Sequence, residues 1–296
     1  MSIFWGKYFC LTNTIICLFL VYSCTSDDSV NSNSKTALRS TVTCATGDSE
    51  SVEYPVCSYN LKEGKVCSVT LEQIRPGQFN YGEEYVYKIV KKYLKNIKKN
   101  QEMYCKKPLN IVIGPSFNQG YFLTDGHHRA KSIEIFKTEH NIEYLLLFKI
   151  ERNYFINNYV KNNEEFWKDM EKNNYVYLKD KGQLRFAEEL PKKMSELTND
   201  PLRSLLAYVA EDGLKFCFNT KSPTYGNFAE FKWAEYFRRF NELSEYHDGS
   251  NYCDYRQKII NLKSLGNICK LPQAIDLPGF SLEKISDNKE KIVNCN

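Results

Sequence analysis

The chain has 296 residues, a net charge of +4, 42% hydrophobic and 14% aromatic residues, enough apolar material for a packed core in one large domain or two small ones. The mildly basic balance permits a nucleic-acid partner but supplies no strong basic DNA-binding surface. Its 4 histidines (His127, His128, His140 and His247) fall in no His-Glu-x-x-His spacing, and without a Cys-x-x-Cys pair the usual structural zinc motifs are excluded.

Residues 1–23 read as a secretory signal. Lys7 supplies the positive start, Ile15 to Tyr22 an apolar run too short to span a bilayer comfortably, and Ser23 a small residue for cleavage. Val21-Tyr22-Ser23-Cys24 also resembles a loose bacterial lipobox, in which Cys24 would be lipidated, and a retained signal anchor is a third reading. Cys10, Cys17 and Cys24 belong to this segment; Cys44, Cys57, Cys67, Cys105, Cys217, Cys253, Cys269 and Cys295 follow it. An even set behind a signal points to disulfides in an oxidising compartment, with the pairing open. The expectation is a secreted or extracytoplasmic chain that meets a membrane only through a lipidated Cys24 or an uncleaved signal.

Residues 24–64 read as a polar, cysteine-containing linker. Val66 to Ile74 reads as a strand, and Arg75-Pro76-Gly77-Gln78 as a turn. From Gly82 to Asn100 an amphipathic helix is expected, with Val86, Ile89, Val90, Tyr93, Leu94 and Ile97 on its apolar face and lysines crowding its last turns, where they suit the helix dipole. Leu109–Ile113 reads as a strand, Tyr121–Phe136 as strand, tight turn and helix, and Tyr144–Ile150 as a buried strand. This order predicts an α/β (α+β) fold: a small mixed-sheet domain over residues 65–152, then a mainly helical part of the same module over 153–243. In that part helical patterns surround Glu164–Met170 and Leu184–Leu197, Asp200-Pro201 starts a helix running to Glu211, and Phe228, Phe231, Ala234, Phe237 and Phe240 recur every three residues as core. The tail from Ser244 to Asn296 reads as loop-rich.

The stretch Tyr121–Phe136 (YFLTDGHHRAKSIEIF) organises the chemistry. Its turn places Gly126, His127, His128 and Arg129 on the first turn of a helix, where unpaired N–H groups and the dipole attract anions. Gly126 allows close approach of a phosphate, and Arg129 can grip it with a fork of donors. Successive helical residues diverge by about 100°, so one imidazole, His127, is expected to reach the ligand while His128 holds the turn. The positive end of the helix should lower a histidine pKa and keep a neutral base available. Asp125 is placed to orient a histidine or to bind Mg²⁺, and Gln78, Thr124 and Lys88 complete the expected phosphate or nucleotide set. The alternative is that Asp125 and the histidines are turn and cap residues only.

Leu123-Thr124-Asp125-Gly126-His127-His128-Arg129-Ala130 resembles the turn of the ParB/sulfiredoxin superfamily, and most closely its ParB-like nuclease branch. Upstream, Ile74-Arg75-Pro76-Gly77-Gln78 with Gly82 and Val86 is similar to that branch's Arg-Pro-x-Gln turn and following helix. Downstream, Asp200-Pro201-Leu202-Arg203-Ser204-Leu205 and Phe228-Ala229-Glu230-Phe231, with Trp233 and Ala234, are similar to its C-terminal helical part. The resemblance covers about residues 65–240. It implies a nucleotide or phosphate group held at the helix start. Sulfiredoxins carry a cysteine where His127 stands, so sulfinic-acid reduction is not expected. Partition proteins carry Gly-Glu-Arg-Arg at the turn and a separate helix-turn-helix for DNA, of which no basic recognition helix is seen here.

Three functions follow from these residues and the resemblance. The first is a nuclease-like phosphodiesterase acting on a nucleic acid or nucleotide, with Arg129 and the helix start stabilising the phosphorane, His127 as general base or acid, and Asp125 orienting a histidine or holding Mg²⁺. The second is nucleotide-dependent phosphotransfer, as in an archaeal free-serine kinase of this fold. The third is a secreted binding module without catalysis.

Overall fold

Two apolar runs, LNIVI and YFLTD, make the centre of the molecule, because each is buried on both faces and must pair on both edges. The computed structural model describes residues 41–45, 51–157, 159–211, 217–264 and 267–281, all within the compact unit Arg39–Asn296. The expected signal segment, Cys24 and Cys295 lie outside the described residues.

The elements, in chain order, are strands β1 (Thr41–Ala45), β2 (Ser51–Pro55), β3 (Val66–Ser68), β4 (Ile74–Pro76) and β5 (Asn80–Tyr81), helices α1 (Glu83–Leu94) and α2 (Ile97–Lys106), strands β6 (Leu109–Ile113) and β7 (Tyr121–Asp125), helix α3 (His127–His140), strand β8 (Leu147–Asn153) and helix α4 (Asn163–Lys172). Short strands β9 (Lys179–Asp180), β10 (Gln183–Leu184) and β11 (Thr198–Asn199) precede helices α5 (Pro201–Glu211), α6 (Ala229–Phe237), α7 (Asn241–Ser244), α8 (Tyr252–Ser264), α9 (Asn267–Lys270) and α10 (Pro272–Ile275). The result is a mixed α/β fold, as the element order predicts.

The main sheet runs β3-β8-β6-β7-β4. Its pairs alternate: β3/β8 antiparallel, β8/β6 parallel, β6/β7 antiparallel and β7/β4 parallel. Side chains of period two divide between its faces. Ile111, Ile113, Tyr121 and Leu123 join Val86 and Val90 of α1 and Ala130, Ile133 and Phe136 of α3 in one core. Val112 and Phe122 point the other way, onto Phe166 and Met170 of α4. A third core, with Leu205, Trp233, Phe237 and Ile259, belongs to the helices α5, α6 and α8, and α1 packs against both α3 and α5.

Several expected boundaries are corrected. The strand expected over 66–74 is two strands, on opposite edges of the sheet order, separated by a 3-10 turn at Leu71–Gln73. Gln73 reaches back to the backbone of Thr70 and competes with strand pairing. Six residue steps with a 3-10 turn among them span about 16 Å, less than the roughly 19 Å across a flat five-stranded sheet, so the sheet must curl for its edges to be joined this way. The single helix expected over 82–100 breaks at Asn96, whose side chain caps the Lys99 N–H and starts α2 afresh. The pattern at 184–197 forms two 3-10 turns instead of a helix, with Pro191 between them. The tail from 244, expected as loops, contains α8, α9 and α10; Tyr255, Ile259 and Ile268 bury there in the third core.

Three disulfides join described cysteines: Cys44–Cys105, Cys57–Cys67 and Cys217–Cys269. The first ties the β1–β2 pair to α2, so the stretch expected as a polar, cysteine-containing linker also holds two paired strands. These bonds are compatible with an extracellular location, and no helix among the described residues is long and apolar enough to cross a membrane.

Gly82 is where the sheet domain meets the helices. A Cβ on it would stand 2.5 Å from the Ser204 N of α5. Gly82→Ala is therefore expected to destabilise the chain by about 1–3 kcal/mol, read as a lower urea midpoint at unchanged slope. An unaltered midpoint would show that α5 yields without cost.

Candidate active site over the first turn of α3

The turn between β7 and α3 is built around Gly126. Its φ is +83°, and a Cβ there would meet Leu109 Cδ2 at 2.4 Å and Arg129 Nη2 at 3.4 Å, so only glycine fits both the backbone and the space. Asp125 Oδ1 accepts the Gly126 N–H at 2.7 Å. The Gly126 carbonyl then accepts the Ala130 N–H at 2.9 Å and starts the helix.

Both imidazoles turn toward the segment joining β4 to α1. His127 Nε2 accepts the Gly77 N–H at 3.0 Å, and His128 Nε2 accepts the Gly82 N–H at 3.1 Å. A neutral ring that accepts at Nε2 carries its proton on Nδ1. Each histidine is thus a backbone acceptor on one side and an N–H donor on the other. Burial, then the neighbouring His128 and Arg203, hold His127 well below the ordinary histidine range. Burial and Arg203 push His128 down to about 3. The expected lowering is present, and its first cause is burial. The division of labour is corrected: both rings hold the turn, and His127 cannot act as general base at Nε2 without giving up the Gly77 bond.

A cavity of about 410 Å³ opens over this turn. Of the residues expected from sequence, Gln78, Thr124, Asp125, Gly126, His127, His128 and Arg129 all line it. Several of their groups are already engaged. Gln78 Nε2 donates to the Asn80 carbonyl at 2.6 Å. The Thr124 hydroxyl donates to Glu151, whose carboxyl is raised mainly by burial. Arg129 Nη1 donates to the Lys107 carbonyl at 2.9 Å, which lays its guanidinium beside Gly126. Lys88 is not part of the lining. Its ammonium pairs with Glu211 at 2.7 Å and sits over the Tyr208 ring, so its place in the expected phosphate set is corrected.

The sequence reading missed the opposite wall as site residues. Arg203 of α5, 4% exposed, has its Cζ over Phe231, 3.7 Å from the ring centroid, and pairs through Nη2 with Glu230 Oε2 at 2.9 Å. Its Nε and Nη1 are buried without a hydrogen-bond partner, as is the Tyr225 hydroxyl. Both residues line the cavity. The signal was an arginine inside the apolar run Pro201–Leu206, where a charge demands a partner.

The donor set does not suit a protein-held Mg²⁺. No group of three His, Cys, Asp or Glu that could hold a metal exists among the described residues. Of the carboxylates on the lining, Asp125 caps Gly126 and Glu230 pairs with Arg203. Around them stand N–H donors and two arginines, which favour an anion over a cation.

Residues 67–239 match a protein-family model described as a putative ParB-like nuclease. The fold is similar to the crystal structure of protein Atu1540 from Agrobacterium tumefaciens, with 22% identity, a TM-score of 0.52, and coverage of 73% of this chain and 98% of that one. No curated protein matches the chain.

Because both rings are neutral when folded and charge more readily once exposed, the unfolded chain binds more protons below about pH 6.5, and stability must fall as pH drops. Between pH 6.5 and 5 the slope should reach about 1.4 kcal/mol per pH unit for each ring. Chemical denaturation across that window should show it. His128→Gln, which keeps an acceptor for Gly82 without titrating, should flatten the slope by about half; an unchanged slope would overturn the account.

Proposed function

This chain belongs to the ParB-like nuclease family, and we propose that it binds a phosphate-bearing ligand over the first turn of α3 and hydrolyses a phosphodiester there, outside the reducing cytosol. The observation that carries this reading is that the helix start opens directly into a cavity walled by two arginines. A diester phosphate at that helix start would meet N–H groups and the positive dipole end. Arg129, whose guanidinium lies beside Gly126, would neutralise the charge that grows on the phosphorane oxygens. The Nδ1–H groups of His127 and His128 are neutral donors, suited to holding oxygens and not to taking protons. That leaves the exposed carboxylate of Asp125, at the same turn, as the group to accept the proton of an attacking water.

The disulfides and the apolar N-terminal run support secretion in this reading. A secreted protein meets little ATP or CTP, which favours hydrolysis over phosphotransfer. A second reading, binding without turnover, is favoured by the histidine lone pairs being engaged by Gly77 and Gly82.

The test is plasmid nicking by the mature chain, expressed in an oxidising compartment, with and without EDTA. The expected result is nicking that persists in EDTA and falls by about 100-fold or more in Asp125→Asn and Arg129→Ala. Nicking no greater than in these variants, with the protein shown folded, would sink the nuclease reading. If phosphate binding survived in that case, the binding-only reading would take its place.

A further inference from the structure

The wall opposite α3 holds three buried polar groups that the chain itself leaves unsatisfied: Arg203 Nε, Arg203 Nη1 and the Tyr225 hydroxyl. Buried donors without partners are costly, and in native proteins they are rare unless something outside the chain completes them. Here all three belong to residues of one cavity. The guanidinium is not free to seek partners elsewhere. Its Cζ sits over the Phe231 ring, 3.7 Å from the centroid, and Glu230 takes only its Nη2. Tyr225 is pinned as well, its ring stacked against Phe218 and crowding Gly279.

We infer that Arg203 and Tyr225 form a second phosphate subsite, distinct from the α3 helix start, so that the ligand presents two phosphate groups to one cavity. This deepens the phosphate-binding reading above and rests on it. The separation of roles follows from the elements. The first subsite is built by the turn Asp125–Arg129, between β7 and α3. The second is built by α5 and the loop before α6, which contribute Arg203 and Tyr225. The two are close enough to feel one another, since the Arg203 charge acts on both histidine rings. Three N–H hydrogens on Nε and Nη1 together with one phenol O–H suit a tetrahedral dianion or a diester oxygen pair better than a neutral group. A space of about 410 Å³ admits a small bis-phosphate or two successive phosphates of one strand.

The experiment is calorimetric titration of the mature chain with three probes: inorganic phosphate, pyrophosphate and 5′-phosphorylated dithymidylate. The expected result is that at least one of the two bis-phosphate probes binds about tenfold or more tighter than phosphate. Which one gains tells whether the phosphates are adjoining or successive along a strand. Tyr225→Phe, which removes only a hydroxyl and keeps the ring packing, should shrink that gain, and Arg203→Gln should abolish it. Both should leave affinity for inorganic phosphate unchanged, whereas Arg129→Ala should weaken all three probes. If phosphate binds but neither bis-phosphate gains, or the gain survives in Tyr225→Phe and Arg203→Gln, the second subsite is overturned. If no probe binds the folded wild-type chain, the phosphate-binding reading falls and the subsite with it.

Discussion

Two hydrogen bonds, from the Gly77 and Gly82 N–H groups to the Nε2 atoms of His127 and His128, hold the site and the fold together. They join the first turn of α3 to the segment between β4 and α1. Without them, two buried backbone donors would be left unpaired, which is costly inside a protein. The bonds also dictate the chemistry. Each ring must stay neutral, with its remaining N–H available as a donor. A pair of adjacent histidines on a helix start thus offers N–H donors without supplying a base.

The same segment is bound on its other side. Asn80 donates to Asp180 and Thr198 and accepts the Lys181 N–H, while β5 pairs with β11 just before α5. The helix that carries Arg203 is therefore held to the sheet through the strand the histidines hold. Close packing takes over at Gly82, which lets the Ser204 backbone approach α1. A shift of α5 would move the guanidinium and the strand together, because interiors are packed too tightly to deform in isolation.

The electrostatic character of the cavity comes from what is already paired. Its carboxylates cap a turn and hold an arginine; its two guanidinium groups keep donors to spare. Burial sharpens this, because desolvation holds the histidines neutral and makes each unpaired N–H more demanding of an oxygen. An anion is the group that completes such an arrangement, and the disulfide-stapled frame around it is compatible with an extracellular location.

By itself the sequence determined the strand–turn–helix at Tyr121–Phe136, the central strand Leu109–Ile113 and the helix from Pro201, since local periodicity, a glycine turn and a proline start are short-range signals. It also marked Gln78, Asp125, Gly126, His127, His128 and Arg129, which do line one cavity. Only the tertiary structure decided that both imidazoles face backbone N–H groups, because a hydrogen bond across about 50 residues leaves no local trace. It likewise decided that Lys88 answers Glu211, 123 residues away, instead of a ligand. Val66 to Ile74 had to wait for the sheet, since one apolar run supplies strands to both of its edges. Arg203 and Tyr225 became site residues for the same reason: their partnerless donors exist only once α5 and the loop before α6 close over α3, and burial is a property of the assembled fold and not of the residue.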